Sequence, residues 1–195
     1  IYYAVGESVA KLAALPQGET VRERGFDILY LTDDVDEFVM NVLGEYAGKE
    51  FKSINADDTG LSSEDEKKEA EQKQEENRGL LDFVKETLGD KIAEVKLTTK
   101  LKSHPVCLSS QGHITLEMEK YFSSLPGDFH NVKAQRVLEI NGDHKTFEAL
   151  KSAFNTDREK AAKYAQLLYF QALLLADQPV DDPARYTQLI SELMV

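Results

Sequence analysis

The stretch "LYLTDDVDE" sets two adjacent carboxylates, Asp33 and Asp34, directly after the apolar run "FDILYL". If that run is a parallel strand, the pair stands at its carboxyl end, where open α/β sheets bind ligands. Two such acids can hold a divalent metal or accept a phosphoryl group, as in a phosphoreceiver. They serve equally well as the first turn of the next helix, where negative charge offsets the helix dipole. The second reading is preferred, because the sheet predicted here is too small for a phosphoreceiver. The other reactive side chains are scattered. His104, His113, His130 and His144 fall in loop-like stretches without metal-ligand spacing. Cys107 lies in the apolar run "PVCLSS" and reads as a buried, inert thiol. Neither G-x-x-x-x-G-K-[ST] nor G-x-G-x-x-G occurs, so no loop is shaped to cradle a nucleotide. The pattern contains no catalytic site, no metal site and no cofactor site.

Composition narrows the partners. The 195 residues carry a formal net charge of −12 and a pI near 4.8, which disfavours nucleic-acid phosphates and anionic membranes. A single cysteine cannot form an intrachain disulfide, so a reducing, cytoplasmic location is expected. No uninterrupted apolar run is long enough to suggest a membrane span, and no basic-then-apolar leader precedes the fold. "IYYAV" opens as a strand already under way, so the chain is expected to be a piece of a longer protein.

The hydrophobic periodicity predicts an α/β (α+β) chain in two parts. In residues 1–61, "IYYAV", "FDILYL" and "KEFKSI" read as strands, the second continuous enough to be buried on both faces. Between them lie a short helix ending at Pro16, a further turn closed by Gly25, and the helix of "TDDVDEFVMNVL". On that helix Val35, Phe38, Val39, Val42 and Leu43 share a face. Strand–helix alternation of this kind implies a small parallel sheet. Residues 62–195 start with a polar helix capped by the Ser63–Glu66 box, which turns amphipathic at "LLDFVKETL" and stops at Gly89. "IAEVKLTTKL", "PVCLSS" and "RVLEI" read as strands of a mixed α/β domain. Two final helices follow: one capped by a Thr156–Glu159 box, the other by Asp182 with Pro183 at its first position.

Two surfaces stand out. "ITLEMEKYF" puts Ile114, Met118, Tyr121 and Phe122 on one helical face between loose flanks, a surface of Met and aromatics able to adapt to varied partners. The alternative for this face is ordinary core packing. At the end of the chain, Tyr164, Leu167, Leu168, Phe170, Leu173, Leu174 and Leu175 spread around a helix more widely than the roughly 100° stripe of a surface helix. The chain offers little to cover them with, so a second copy is expected to do so. Tyr186, Leu189, Ile190 and Leu193 line one side of the last helix. A helical hairpin of this kind, paired with a second copy, makes a four-helix bundle. Its expected dimer interface comprises Tyr164, Leu167, Leu168, Phe170, Leu174, Tyr186, Leu189, Ile190 and Leu193.

"IYYAVGES", "GFDILYLTDDVDEFVMNVL", "LGDKIAEVKLT", "HPVCLSS", "RVLEIN" and "LLYFQALLLA…DDPARY" resemble the ninety-kilodalton heat-shock chaperone family, in its bacterial branch, along the whole chain. The resemblance implies the end of the middle domain (1–61) and the C-terminal dimerisation domain (62–195) of an ATP-dependent chaperone. The partners it implies are a second copy and unfolded clients. ATP and magnesium would belong to a domain lying upstream. It also implies client contacts at Glu37, Phe38 and Asn41, and at Ile114, Met118, Tyr121 and Phe122. Phe38 stands where the bacterial pattern often has Trp, and Gly142 where Pro is usual. The competing expectation is a stand-alone acidic signalling domain of phosphoreceiver type with a helical dimerisation module, which would use Asp33 and Asp34.

Overall fold

The structure is a computed structural model and describes residues 1–56, 59–127 and 132–194; His130 lies outside them. In chain order the elements are β1 (Tyr2–Val5), α1 (Val9–Ala13), α2 (Gly18–Glu23), β2 (Ile28–Leu31), α3 (Asp36–Leu43), β3 (Glu45–Tyr46), β4 (Lys49–Glu50), β5 (Lys52–Ser53), α4 (Glu64–Glu76), α5 (Arg78–Leu88), β6 (Glu94–Thr98), β7 (Val106–Gln111), α6 (Leu116–Ser124), β8 (Gln135–Asn141), α7 (Lys145–Thr156), α8 (Arg158–Leu175) and α9 (Pro183–Leu193). This is the mixed α/β content that the periodicity predicts. Two compact units emerge: Ile1–Ser62 with Ser109–Arg136, and Ser63–Leu108 with Val137–Val195. The helix of "ITLEMEKYF" thus packs with the first stretch of the chain.

The first unit is built on a three-stranded parallel sheet in the order β2-β1-β5. Its core joins Ala4, Leu12, Leu15, Val21, Ile54 and Leu61, with Tyr2, Ile28 and Tyr30 at the margin. β2 is an edge strand, and Leu29 is left 46% exposed, so the expectation of burial on both faces does not hold. "KEFKSI" splits in two. Lys49–Glu50 pairs back on Glu45–Tyr46 as a hairpin, and only Lys52–Ser53 joins the sheet. The hairpin turns through Ala47 and Gly48, both at positive φ (52° and 73°), which is the backbone twist a two-residue hairpin loop favours.

In the second unit the Ser63–Glu66 box caps α4 as predicted. α5 turns Leu80, Leu81, Val84 and Leu88 inward against β6 and α8. β8 is the central strand of the order β6-β8-β7 and runs parallel to β6. α8 packs on α5, α7 and α9, which is why it has hardly any polar face: Ala161, Ala165, Leu168, Tyr169, Phe170, Ala172 and Leu173 are all buried within the chain. Its cap is Asp157, which accepts from the Lys160 N–H, rather than Thr156, which closes α7. Asp182 caps α9 with Pro183 in its first turn, as the sequence indicates.

The central position of β8 has a cost. Glu139 is fully buried there and accepts from Lys100 Nζ at 2.7 Å, with Lys96 Nζ at 4.0 Å. Removing one partner of such a pair strands a charge. Glu139→Ala should therefore lower stability by about 3–5 kcal/mol, whereas Glu139→Leu combined with Lys100→Leu should recover most of the loss. Urea unfolding of the three proteins checks this; equal midpoints for the single and double variants would refute it.

Candidate functional site

The orientation of α3 organises the first unit. At about 100° per residue, Val35, Val39 and Val42 project to one side and Glu37 to the opposite side. The structure buries Glu37, at 2% exposure, and turns the apolar side outward, with Val35, Val39, Val42 and Leu43 at 50%, 46%, 89% and 49%. The apolar face of α3 therefore does not serve as its packing face. Glu37 instead meets Tyr3 of β1, Asn41 one turn on, and Thr115 at the start of α6. Asn41 Nδ2 donates to the Glu37 carbonyl at 2.8 Å and reaches its Oε1 at 3.4 Å. Burial, followed by the nearby Glu117 carboxylate, pushes the Glu37 carboxyl up to about 7. Burial likewise raises Glu117, while the hydrogen bond from Asn55 works against that shift. Asn55 Nδ2 donates to Glu117 Oε1 at 2.7 Å. Tyr3, Glu37, Asn41, Asn55, Thr115 and Glu117 line a polar cleft of about 490 Å³.

α6 is held in this unit at both ends and by its side. Thr115 caps it by accepting from the Met118 N–H. Lys120 Nζ donates to Glu7 Oε1 at 2.7 Å. Glu119, 3% exposed, accepts from the Ala134 N–H, Arg136 Nη2 and Lys133 Nζ at 3.0, 3.0 and 3.2 Å, which ties the returning strand to the helix. The rings of Tyr121 and Phe122 stand edge-on to Phe38, with centroids at 5.2 and 5.7 Å. The residues that the resemblance marks as two client patches are thus partly one cluster, Phe38–Tyr121–Phe122, with Asn41 exposed beside it. Met118 faces inward at 7% exposure, Ile114 precedes the helix, and Glu37 is internal. The polar contacts beneath the cluster, Glu37–Thr115 and Asn55–Glu117, carry no sequence signal beyond an i, i+4 Glu–Asn pair opposite an apolar stripe.

Asp33 and Asp34 are exposed before α3 and border a small cleft with Glu7, Lys120 and Tyr121. Among the described residues no group of three or more His, Cys, Asp or Glu is placed to hold a metal ion. Cys107 is fully buried. Among the described residues no helix is long and apolar enough to cross a membrane.

In the second unit, the hairpin residues divide. Leu168, Phe170 and Leu189 are buried within the chain at 3%, 2% and 0%. The expectation that α8 finds too little cover within its own chain therefore does not hold: α5, α7 and α9 supply it. Tyr164, Leu167, Tyr186, Ile190 and Leu193 are half-buried, and Leu174 is exposed. Tyr164, Leu167 and Leu168 line an open groove with Pro105 and Ala149. Tyr169 donates to Asp181 at 3.1 Å, fixing the break between the two helices.

The family described as "Hsp90 protein" matches residues 1–195. The "Chaperone protein HtpG" of Clostridium acetobutylicum is 48% identical over 194 residues, covering 100% of this chain and 31% of that protein. That of Alkaliphilus oremlandii is 46% identical over 195 residues, and that of Bacillus subtilis 44% over 195, each again covering 100% of the chain and 31% of the relative. The chain thus spans less than a third of the length of these relatives. The phosphoreceiver alternative finds no support among them.

The buried carboxyl generates a pH dependence. Folded Glu37 keeps its proton up to about pH 7, whereas an unfolded glutamate releases it near 4.5. Between those values the folded state binds more protons, so stability falls as pH rises and levels off above about 7. Glu37→Gln stays neutral throughout and should escape that loss. Relative to the parent it should gain about 2–4 kcal/mol between pH 4.5 and pH 8, because each pH unit separating the folded and unfolded pKa values is worth roughly 1.4 kcal/mol. Urea midpoints across that range decide it, and parallel curves for the two proteins would refute it.

Proposed function

The chain belongs to the Hsp90 family, and from that premise we propose that it comprises the end of the middle domain (1–61) and the C-terminal dimerisation domain (62–195) of a bacterial chaperone of the HtpG kind. It is a cytoplasmic homodimer that holds unfolded clients. ATP and magnesium act in a domain upstream, and this segment needs no cofactor of its own. Clients meet the Phe38–Tyr121–Phe122 cluster, with Asn41 at its edge. The observation that carries this reading is that three aromatic rings from helices far apart in sequence converge on one partly open surface. Such a surface repacks around many sequences. Met118 sets the helix that presents two of the rings, and Glu37 sets the helix that presents the third. Ile114 flanks the start of α6. Docked as it is, α6 offers no deep pocket, so each contact is weak and exchangeable.

Replacing Phe38 and Phe122 together by Ser should weaken the holding of an unfolded client by about tenfold or more while leaving the association state unchanged. Suppression of aggregation by the longest protein carrying this chain measures it, and an unchanged protective ratio would refute the site.

The dimer uses the apolar surface that the helical hairpin leaves over: Tyr164, Leu167, Leu174, Tyr186, Ile190 and Leu193. Leu168, Phe170 and Leu189 support that surface from beneath. A two-fold axis makes such a patch self-complementary. Leu193→Asp combined with Ile190→Asp should shift sedimentation equilibrium from a dimeric to a monomeric mass at micromolar concentration. A monomeric mass for the parent chain would overturn this interface.

A further inference from the structure

We infer that Lys91 is a positioning residue for self-association: its ammonium holds the break between α8 and α9, and so fixes how the hairpin presents its apolar surface to a second copy. The inference rests on the dimer reading above. Lys91 ends a single 3₁₀ turn, Gly89–Lys91. Gly89 closes α5 at a φ of 58°, and Ile92 is buried just after the turn, so the backbone on both sides of the lysine is fixed. From there Nζ stands 5.5 Å from the ring centroid of Tyr169 and 5.6 Å from that of Phe170, within reach of a cation–π contact. Both rings belong to buried side chains of α8, so they form a rigid platform. The same nitrogen lies 3.5 Å from Asp181 Oδ2, the atom that accepts from the Tyr169 hydroxyl at 3.1 Å. One ammonium thus joins the end of α5, the side of α8 and the break.

The break is where the angle between the two helices is set. Asp177 takes a positive φ of 52°, a conformation that Asp tolerates, and the Gln178 N–H donates to the Leu173 carbonyl at 2.9 Å. Further on, Asp181 turns back to Lys91, and its neighbour Asp182 caps α9 by accepting from the Arg185 N–H at 2.8 Å. Whatever holds Asp181 therefore holds the start of α9. Phe170 adds a second link, since the ring beneath Lys91 also meets Tyr186 edge-on, with centroids 5.6 Å apart. Tyr186 belongs to the surface assigned to the second copy. That surface is shared between α8 (Tyr164, Leu167, Leu174) and α9 (Tyr186, Ile190, Leu193). It matches its own image about a two-fold axis at one setting of α9 on α8. A partly exposed ion pair alone contributes little. Here the cation also lies over two fixed rings, where partial loss of water makes the contact worth more. A two-fold dimer contains the contact twice, so a factor of about three per copy becomes about tenfold in the dissociation constant.

Sedimentation equilibrium of the full 195-residue chain tests this, with amide hydrogen exchange as a second readout. Lys91→Met keeps the length of the side chain and removes its charge. It should raise the dimer dissociation constant about tenfold near 0.1 M salt, and the gap to the parent should narrow near 1 M as salt screens the charge. Lys91→Arg keeps the charge and stacks on aromatic faces, so it should stay within about twofold of the parent. Asp181→Asn still offers Tyr169 an acceptor but loses the ion pair. It should weaken association as well, and should add little once Lys91→Met is present. In a chain that also carries Ile190→Asp and Leu193→Asp, Lys91→Met should speed exchange of the Gln178 and α9 amides about threefold, which reads the contact without the dimer. Unchanged exchange there would overturn the inference and leave the interface standing. A Lys91→Arg variant as weak as Lys91→Met, or a gap that salt does not narrow, would reduce Lys91 to packing and overturn it too. A monomeric mass for the parent, with the faster exchange still seen, would overturn the dimer reading and with it this role for Lys91.

Discussion

A helix of eight residues can bury only one side, and α3 commits that side to a carboxyl group. The polar seam and the aromatic cluster of the first unit both depend on this choice. Because Glu37 points inward, the space around it has to be polar, and Tyr3, Asn41 and Thr115 provide the partners. Thr115 is also the residue that starts α6, so the buried acid and the start of the second helix are fixed together. Phe38 then falls at the border between inside and outside, where the rings of Tyr121 and Phe122 can reach it. An apolar residue at position 37 would give α3 a conventional core contact and would remove the reason for a polar seam beneath the aromatic cluster.

The second unit solves the opposite problem. α8 is apolar nearly all round, and three neighbouring helices absorb most of that surface. Stability comes first from burial, at about 25 cal/mol per Å² of apolar area, and the remainder at Tyr164, Leu174 and Ile190 is available to a partner. The Glu139–Lys100 pair shows how far this unit goes in closing its interior, since a charge in the central strand of a covered sheet is tolerated only with its counter-ion in contact.

Much of this was legible in the sequence. The parallel sheet of the first unit follows from alternating strand and helix patterns, and the caps at Ser63 and Asp182 were visible because a side chain and its target lie three residues apart. Local chemistry of that range survives without a structure. The Thr156 cap failed by one residue because Asp157 offers a stronger acceptor at the same turn. The hairpin inside "KEFKSI" was hidden, since Ala47 is an uncommon residue for a positive-φ turn. The direction of α3 was missed for a deeper reason. Helical periodicity locates the core only when the apolar side faces it, and here a single glutamate, held by residues from far along the chain, reverses that. The convergence of Phe38 with Tyr121 and Phe122 was likewise beyond reach, because nothing local tells a helix at 116 that its partner ends at 43.

That separation has a consequence in time. The first unit is assembled from two stretches of chain, with Ser63–Leu108 synthesised between them. At about 5–20 residues per second, the roughly seventy residues between the end of α3 and the start of α6 take about 4–15 s to emerge from a ribosome. For that interval the parallel sheet can form while the Glu37 carboxyl and the Phe38 ring remain in water, the acid ionised and the ring without its partners. The nascent protein therefore passes through a stage in which the face around Glu37 and Phe38 is unfinished and open, and α6 is the segment that closes it.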